Sequence, residues 1–250
     1  MAFPGGIAHL DNFSGGAADA ISVTASAAHV LNGLVAVLLL IQVAARATVV
    51  VPAPETCVAC RADLERMRAG YSDAEWQALS RGRVVTAKTE EPQSEGPAQW
   101  YVESSAIIAG PPAVVWSVVT DYEGRAKFVP GLQDAHVLRV DGNRVWLAEH
   151  LRFFLINIRY RVIATLQPAQ GLESWVLDKS SAHDIADTRG SWEIAPLPSG
   201  DATLVRYRAW VDPGRPVPRF IIQSMAERSL SKIVAGVRDE VEDRLDRVQR

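Results

Sequence analysis

Residues 218–248 read PRFIIQSMAERSLSKIVAGVRDEVEDRLDRV, and the spacing within this stretch decides the fold. Pro216 and Pro218 halt whatever precedes them, and proline is tolerated in the first turn of a helix. Behind them Ile222, Met225, Ala226, Ser229, Leu230, Ile233, Val237, Val241, Leu245 and Val248 recur at three- and four-residue steps, the period of one helical face. Glu227, Arg228, Lys232, Arg238, Asp239, Glu242, Asp243 and Arg247 fall largely on the other side. No proline interrupts the run, and its one glycine, Gly236, costs only about 1 kcal/mol relative to alanine. The spacing predicts a single long helix from Pro218 to Val248. Its apolar stripe must lie on another layer, and the chain before it reads as strands, so the helix is expected to be gripped by a sheet.

Working back from that helix, residues 98–250 form the expected main domain. Trp100–Ala109 alternates and is rich in strand formers until Gly110-Pro111-Pro112 breaks it. Ala113–Thr120 starts just after a proline pair, which suits a helix N-terminus, although its β-branched residues also fit a strand. Asp121–Pro130 reads as a second short helix and turn carrying Tyr122 and Phe128. Ala135–Val140 and Val145–Leu151 pair across the hairpin signal Asp141-Gly142-Asn143. In Arg152–Leu166, read as one strand, Phe154, Ile156, Ile158, Tyr160, Val162 and Ala164 share a face by the two-residue period. Asn157, Arg159, Arg161 and Thr165 take the other. Ser174–Asp178, Gly190–Ala195 and Thr203–Val211 supply three more strands, with Val205, Tyr207, Ala209 and Val211 on the dry face. Strands in a run with helices segregated from them imply an antiparallel α+β domain. A curved sheet around one amphipathic helix leaves an apolar cleft of the kind that takes small ligands.

This domain resembles a known family. Ala109-Gly110-Pro111-Pro112-Ala113-Val114-Val115-Trp116, Asp121-Tyr122-Glu123 and Phe128-Val129-Pro130-Gly131 are similar to the opening of START-like (SRPBCC) domains, of the polyketide cyclase/coenzyme Q-binding type. The stretch from His183 to Trp192 and the closing helix after Gly214-Arg215-Pro216-Val217-Pro218 resemble bacterial members. The likeness runs from about Trp100 to Arg244. It implies the helix-grip fold and an apolar ligand such as a lipid, sterol, quinone or polyketide. Members include carriers, cyclases and a ribosome-associated toxin, so the fold does not fix the function.

The first third of the chain differs in character. Met1–Ala25 is rich in Gly, Ala and Ser without Lys or Arg, and Ala27–Ala45 is an almost uncharged apolar run. A secretory signal, a single membrane-spanning helix and a buried globular helix all fit residues 1–50. The first lacks its positive start, and the second only just reaches about 20 apolar residues. Basic residues after the run put the main domain in the cytoplasm by the positive-inside rule. The small-residue exit at Ala45-Arg46-Ala47 favours export. Export or outward (periplasmic) anchoring is the expectation, with the membrane as a partner through this segment. Residues 51–97 read as a small helical segment over Ala62–Leu79, with Ser72 as a cap candidate, and a linker over Glu90–Pro97. Cys57 and Cys60 are too few ligands for structural zinc; a local disulfide is expected if they are exported.

Chemistry is sparse. With 48% hydrophobic and 22% charged residues and a net charge of −3, nothing recommends nucleic acid as a partner. No phosphate loop, nucleophile elbow or nucleotide fingerprint occurs, so no cofactor is expected. None of the five histidines pairs at metal-ligand spacing, so no metal is expected either. His183, Asp184, Asp187 and Arg189 form the densest polar cluster, either an acid–base pair at the cavity mouth or a loop pinned by its own charges. The pinning reading is preferred, and no residue is assigned as catalytic. Glu149 and His150 are adjacent and so face opposite sides of a strand. The expected ligand-binding residues are Arg152, Phe154, Ile156, Tyr160, Tyr207, Met225 and Ile233, with Arg152 inside the cavity as anchor for a carboxylate or phosphate. Trp116 is assigned to the core. Binding, and transfer, of a hydrophobic small molecule is the expected function; cyclase-type catalysis and a protein-interaction module are the alternatives.

Overall fold

Alternating apolar side chains assemble one antiparallel sheet. The computed structural model describes residues 60–92, 99–153, 156–216, 219–248 and 250. Among these residues eight strands are present: β1 (Val85–Glu91), β2 (Gln99–Ala109), β3 (Leu132–Asp141), β4 (Arg144–Phe153), β5 (Ile156–Gln167), β6 (Leu172–Leu177), β7 (Asp187–Pro196) and β8 (Ala202–Asp212). Their order across the sheet is β1-β2-β8-β7-β6-β5-β4-β3. The helices are α1 (Cys60–Arg68), α2 (Asp73–Ser80), α3 (Pro112–Val119) and α4 (Arg219–Val248), with a 3-10 helix at Glu123–Lys127 between α3 and β3. This is the helix-grip α+β architecture: a curved sheet with the long C-terminal helix against it.

Two cores follow from the two faces of the sheet. On the concave face Ala106, Ile108, Ile194 and Val205 pack with Val115, Trp116 and Val119 of α3 and with Val234, Val237 and Val241 of α4. On the convex face Ala195 and Leu204 meet Met67 of α1 and Leu79 of α2. Neighbours along a strand thus enter opposite cores, as a two-residue period requires. Trp116 is fully buried, as expected. Pro111 and Pro112 start α3 with pre-set backbone angles, so the proline pair outweighs the β-branched content. Ser72 caps α2 through a reciprocal box, its Oγ accepting from the Glu75 N–H at 3.3 Å while Glu75 Oε2 accepts from the Ser72 N–H at 2.8 Å.

Three features differ from the sequence reading. Arg152–Leu166 is not one strand: Phe153 pairs with Ile156 and Leu151 with Ile158, so the chain reverses between β4 and β5. The sheet also begins before residue 98, because Val85–Glu91 pairs with β2 along its whole length. On α4, Val234 is fully buried although it was not placed on the stripe, while Val248 is 85% exposed beyond the sheet. The apolar run Ala27–Ala45, Cys57, most of the Glu90–Pro97 linker and Phe154 lie outside the described residues. Among those described, no helix is long and apolar enough to cross a membrane.

Candidate functional site

The concave face is not filled by the helix. Between the sheet and α4 lies a cavity of about 900 Å³, within the range of small-molecule pockets. Leu230, Ile233 and Val237 form its α4 side, and Leu147, Leu151, Ile156, Ile158 and Val162 line it from β4 and β5. Opposite them stands an aromatic wall. Trp192 and Tyr207 stack at 4.2 Å between ring centroids, and Trp175 joins Tyr207 at 5.5 Å. Gly190 makes room for this wall: it faces Trp175 across β6 and β7, and a Cβ there meets the Trp175 ring and the Arg208 carbonyl below van der Waals distance. Such faces give an apolar ring flat contact at low entropic cost.

A compact charged group interrupts this apolar lining. Arg125, from the 3-10 helix, donates through Nη2 to both oxygens of Glu173 at 3.0 and 3.1 Å. The same guanidinium donates from Nε and Nη2 to the Val119 carbonyl at 3.2 and 2.7 Å, closing the end of α3. Its carbon sits 4.6 Å from the centre of the Tyr122 ring. Nη1 is directed towards Glu149 at 3.9 Å. Glu173 is only 1% exposed and Glu149 14%. Burial pushes the Glu173 carboxyl up against the opposing pull of Arg125. Burial, with the nearby carboxylates adding to it, also holds the phenol groups of Tyr122 and Tyr160 well above their ordinary value; Tyr207 is pushed up by burial as well. These phenol groups therefore stay neutral. Arg125, Glu149, Glu173, Tyr160 and Tyr207 all line the cavity.

The structure brings together Ile156, Tyr160, Tyr207 and Ile233 at the cavity, with Ile156 at its rim and 52% exposed. Phe154 and the Met225 side chain lie outside the described residues. Arg152 is corrected. Because the chain reverses after Phe153, Leu151 and Glu149 take the cavity face of β4, while Arg152 pairs with Asn157 and is exposed on the convex side. It does not line the cavity. The polar loop from His183 to Arg189 behaves as a pinned turn. His183 donates from its ring to the Ile185 carbonyl at 2.6 Å, and Asp184 accepts from the Arg159 N–H at 2.7 Å. Asp187 receives Lys179 at 3.0 Å. Only Asp184 of the four reaches the cavity lining. Among the described residues, no group of three His, Cys, Asp or Glu side chains is placed to hold a metal.

Arg125, Glu149 and Glu173 were missed in sequence. The signal for two of them was parity. Glu149 lies between Leu147 and Leu151, and Glu173 shares the face of Trp175 and Leu177, so each is a charge at an apolar position.

The family model described as polyketide cyclase/dehydrase and lipid transport matches residues 99–249. Among solved structures, the aromatase/cyclase from Streptomyces sp. R1128 superposes with a TM-score of 0.52 at 18% identity, covering 58% of this chain and 94% of its own. A START superfamily protein from Mycobacterium smegmatis gives 0.50 at 18% identity, covering 57% of this chain and 97% of its own. Human StAR-related lipid transfer protein 5 gives 0.51 at 13% identity, with 74% of this chain and 95% of its own covered. At these identities the likeness is one of fold. No curated protein matches the chain.

Proposed function

This chain belongs to the polyketide cyclase/dehydrase and lipid transport family, and we propose that it binds one hydrophobic small molecule beneath its C-terminal helix and carries it as cargo. The observation behind this reading is the cavity of about 900 Å³ on the concave face, mostly apolar and carrying one buried charged group. Covering apolar surface there contributes roughly 25 cal/mol per Å² before ordering costs. The polar loop weighed as an acid–base pair gives cyclase chemistry no support, since His183 and Asp187 are absent from the cavity lining. Membrane anchoring through the apolar run Ala27–Ala45 accords with a lipid-like cargo and belongs to this proposal.

The test is occupancy of the cavity by bulk. Ile233 is 8% exposed and faces the cavity from α4. Ile233→Trp is expected to weaken binding of an apolar fluorescent probe such as 1-anilinonaphthalene-8-sulfonate at least about tenfold. Its thermal midpoint is expected to stay within a few degrees of the parent, because the indole grows into open space and not into a packed core. Unchanged probe affinity in a folded Ile233→Trp variant refutes the cavity as the binding site.

A further inference from the structure

The buried charged group inside the cavity has an arrangement that selects among ligand head groups. Arg125 is held from one side: Nε and Nη2 are engaged by the Val119 carbonyl and the Glu173 carboxylate. That leaves Nη1, which points to Glu149 but stops 3.9 Å from its Oε1, too far for a hydrogen bond. Glu149 lines the cavity between Leu147 and Leu151, and Tyr160 lies directly across from it in the strand register. A donor and an acceptor therefore face the same space with a gap between them, in a wall that is mostly apolar.

An oxygen placed about 2.9 Å from each of two atoms 3.9 Å apart closes that gap with two hydrogen bonds of ordinary length. The bridging atom must accept from a guanidinium and donate to a carboxylate at once. A hydroxyl does both. A protonated amine donates to Glu149 but has no lone pair for Arg125, and a carboxylate or phosphate accepts from Arg125 but meets Glu149 as a like charge. Around Arg125 stand two carboxylates, Glu149 and Glu173, for one guanidinium, which further disfavours an anion in a water-poor site.

We propose that the gap between Arg125 and Glu149 is a subsite for a neutral hydroxyl, so that the cargo is an alcohol or phenol on an apolar ring body lying against the Trp175–Tyr207–Trp192 wall. The inference rests on the cavity reading above and narrows it. An anionic head group at this gap meets the Glu149 carboxylate together with the Arg125 guanidinium.

The test compares four probes with one ring and different heads: 2-methylnaphthalene, 2-naphthol, 2-naphthylmethylamine and 2-naphthoate, titrated into the full chain by quenching of tryptophan fluorescence. The methyl compound reports the apolar cavity alone. A hydrogen bond to a charged group adds about tenfold or more, so 2-naphthol is expected to bind at least about tenfold tighter than 2-methylnaphthalene, and the naphthoate weaker than either. In Glu149→Leu, whose position is flanked by leucines, the methyl compound keeps its affinity and the naphthol advantage disappears. Glu149→Gln, which keeps an acceptor, restores part of it. Equal binding of naphthol and methylnaphthalene to the parent chain, tighter binding of the amine or the naphthoate, or an undiminished naphthol advantage in Glu149→Leu overturns the subsite while leaving the cavity intact. Binding of none of the four overturns the cavity reading and the subsite with it.

Discussion

Replacing Arg125 with methionine tests whether the buried charged group is held as a unit. The substitution keeps an unbranched apolar stem and removes the guanidinium. Glu173, 1% exposed, then loses the two contacts of 3.0 and 3.1 Å that neutralise it, and the Val119 carbonyl loses two donors. Breaking a buried pair from one side costs about 3–5 kcal/mol, and that is the loss expected at pH 8. Glu173→Leu costs less, about 2 kcal/mol, since Arg125 keeps Val119 and the neighbourhood of Glu149. The double variant, with neither charge left unpaired, is expected to be more stable than Arg125→Met alone, which puts the coupling at about 2–3 kcal/mol.

The pH dependence has a definite sign. Burial already raises the folded-state pKa of Glu173 above its unfolded value. Such a group favours folding in its protonated form and loses that contribution as pH rises through the folded value. Without Arg125, which pulls it down, the carboxyl rises further. The cost of Arg125→Met is therefore expected to shrink as pH falls from 8 towards the ordinary carboxylate range near 4.5. Urea unfolding of the four proteins at both pH values is the assay. Additive losses, or an Arg125→Met deficit that grows on acidification, refute the reasoning.

Two further substitutions probe the frame around the cavity. Gly236→Ala in α4 gains about 1 kcal/mol of helix propensity, but its Cβ falls 2.8 Å from both the Cβ and the carbonyl oxygen of Phe128. Overpacking of that kind costs about 1–3 kcal/mol, so a net loss of about 1 kcal/mol is expected in urea unfolding; a stabilised variant contradicts the close approach. Ser72→Ala removes the cap of α2 and is expected to cost about 1 kcal/mol. Its loss is expected to diminish in acid, because the Ser72 hydrogen bonds hold the Glu75 carboxyl below its ordinary value. Stability tied to a depressed carboxyl is present above the unfolded pKa and fades as pH falls through the folded one.

Much of the fold was legible because it is written in periods. The three- and four-residue steps of α4 and the alternation of β5 and β8 survive in the structure with small shifts at their ends. The β4–β5 reversal was not legible: Phe153-Phe154-Leu155-Ile156 carries no Gly, Pro, Asn or Asp to mark a turn, and the apolar pattern runs straight through it. That single omission put Arg152 on the cavity face. β1 was missed because Lys88, Glu90 and Glu91 give an edge strand the look of a linker. The charged group was hidden for another reason. Arg125, Glu149 and Glu173 are far apart in sequence and meet only when the sheet curls, so their grouping is a property of topology and not of any motif. The pinned loop at His183–Arg189 was the reverse case, a dense local cluster whose bonds are all structural.

The central claim is that this cavity carries a hydrophobic molecule, and native mass spectrometry of the chain purified from its own host tests it most directly. One apolar molecule per chain, released on unfolding and recovered by organic extraction, is the predicted result. A chain that flies at its bare mass, and stays bare after incubation with a lipid extract of that host, contradicts the account.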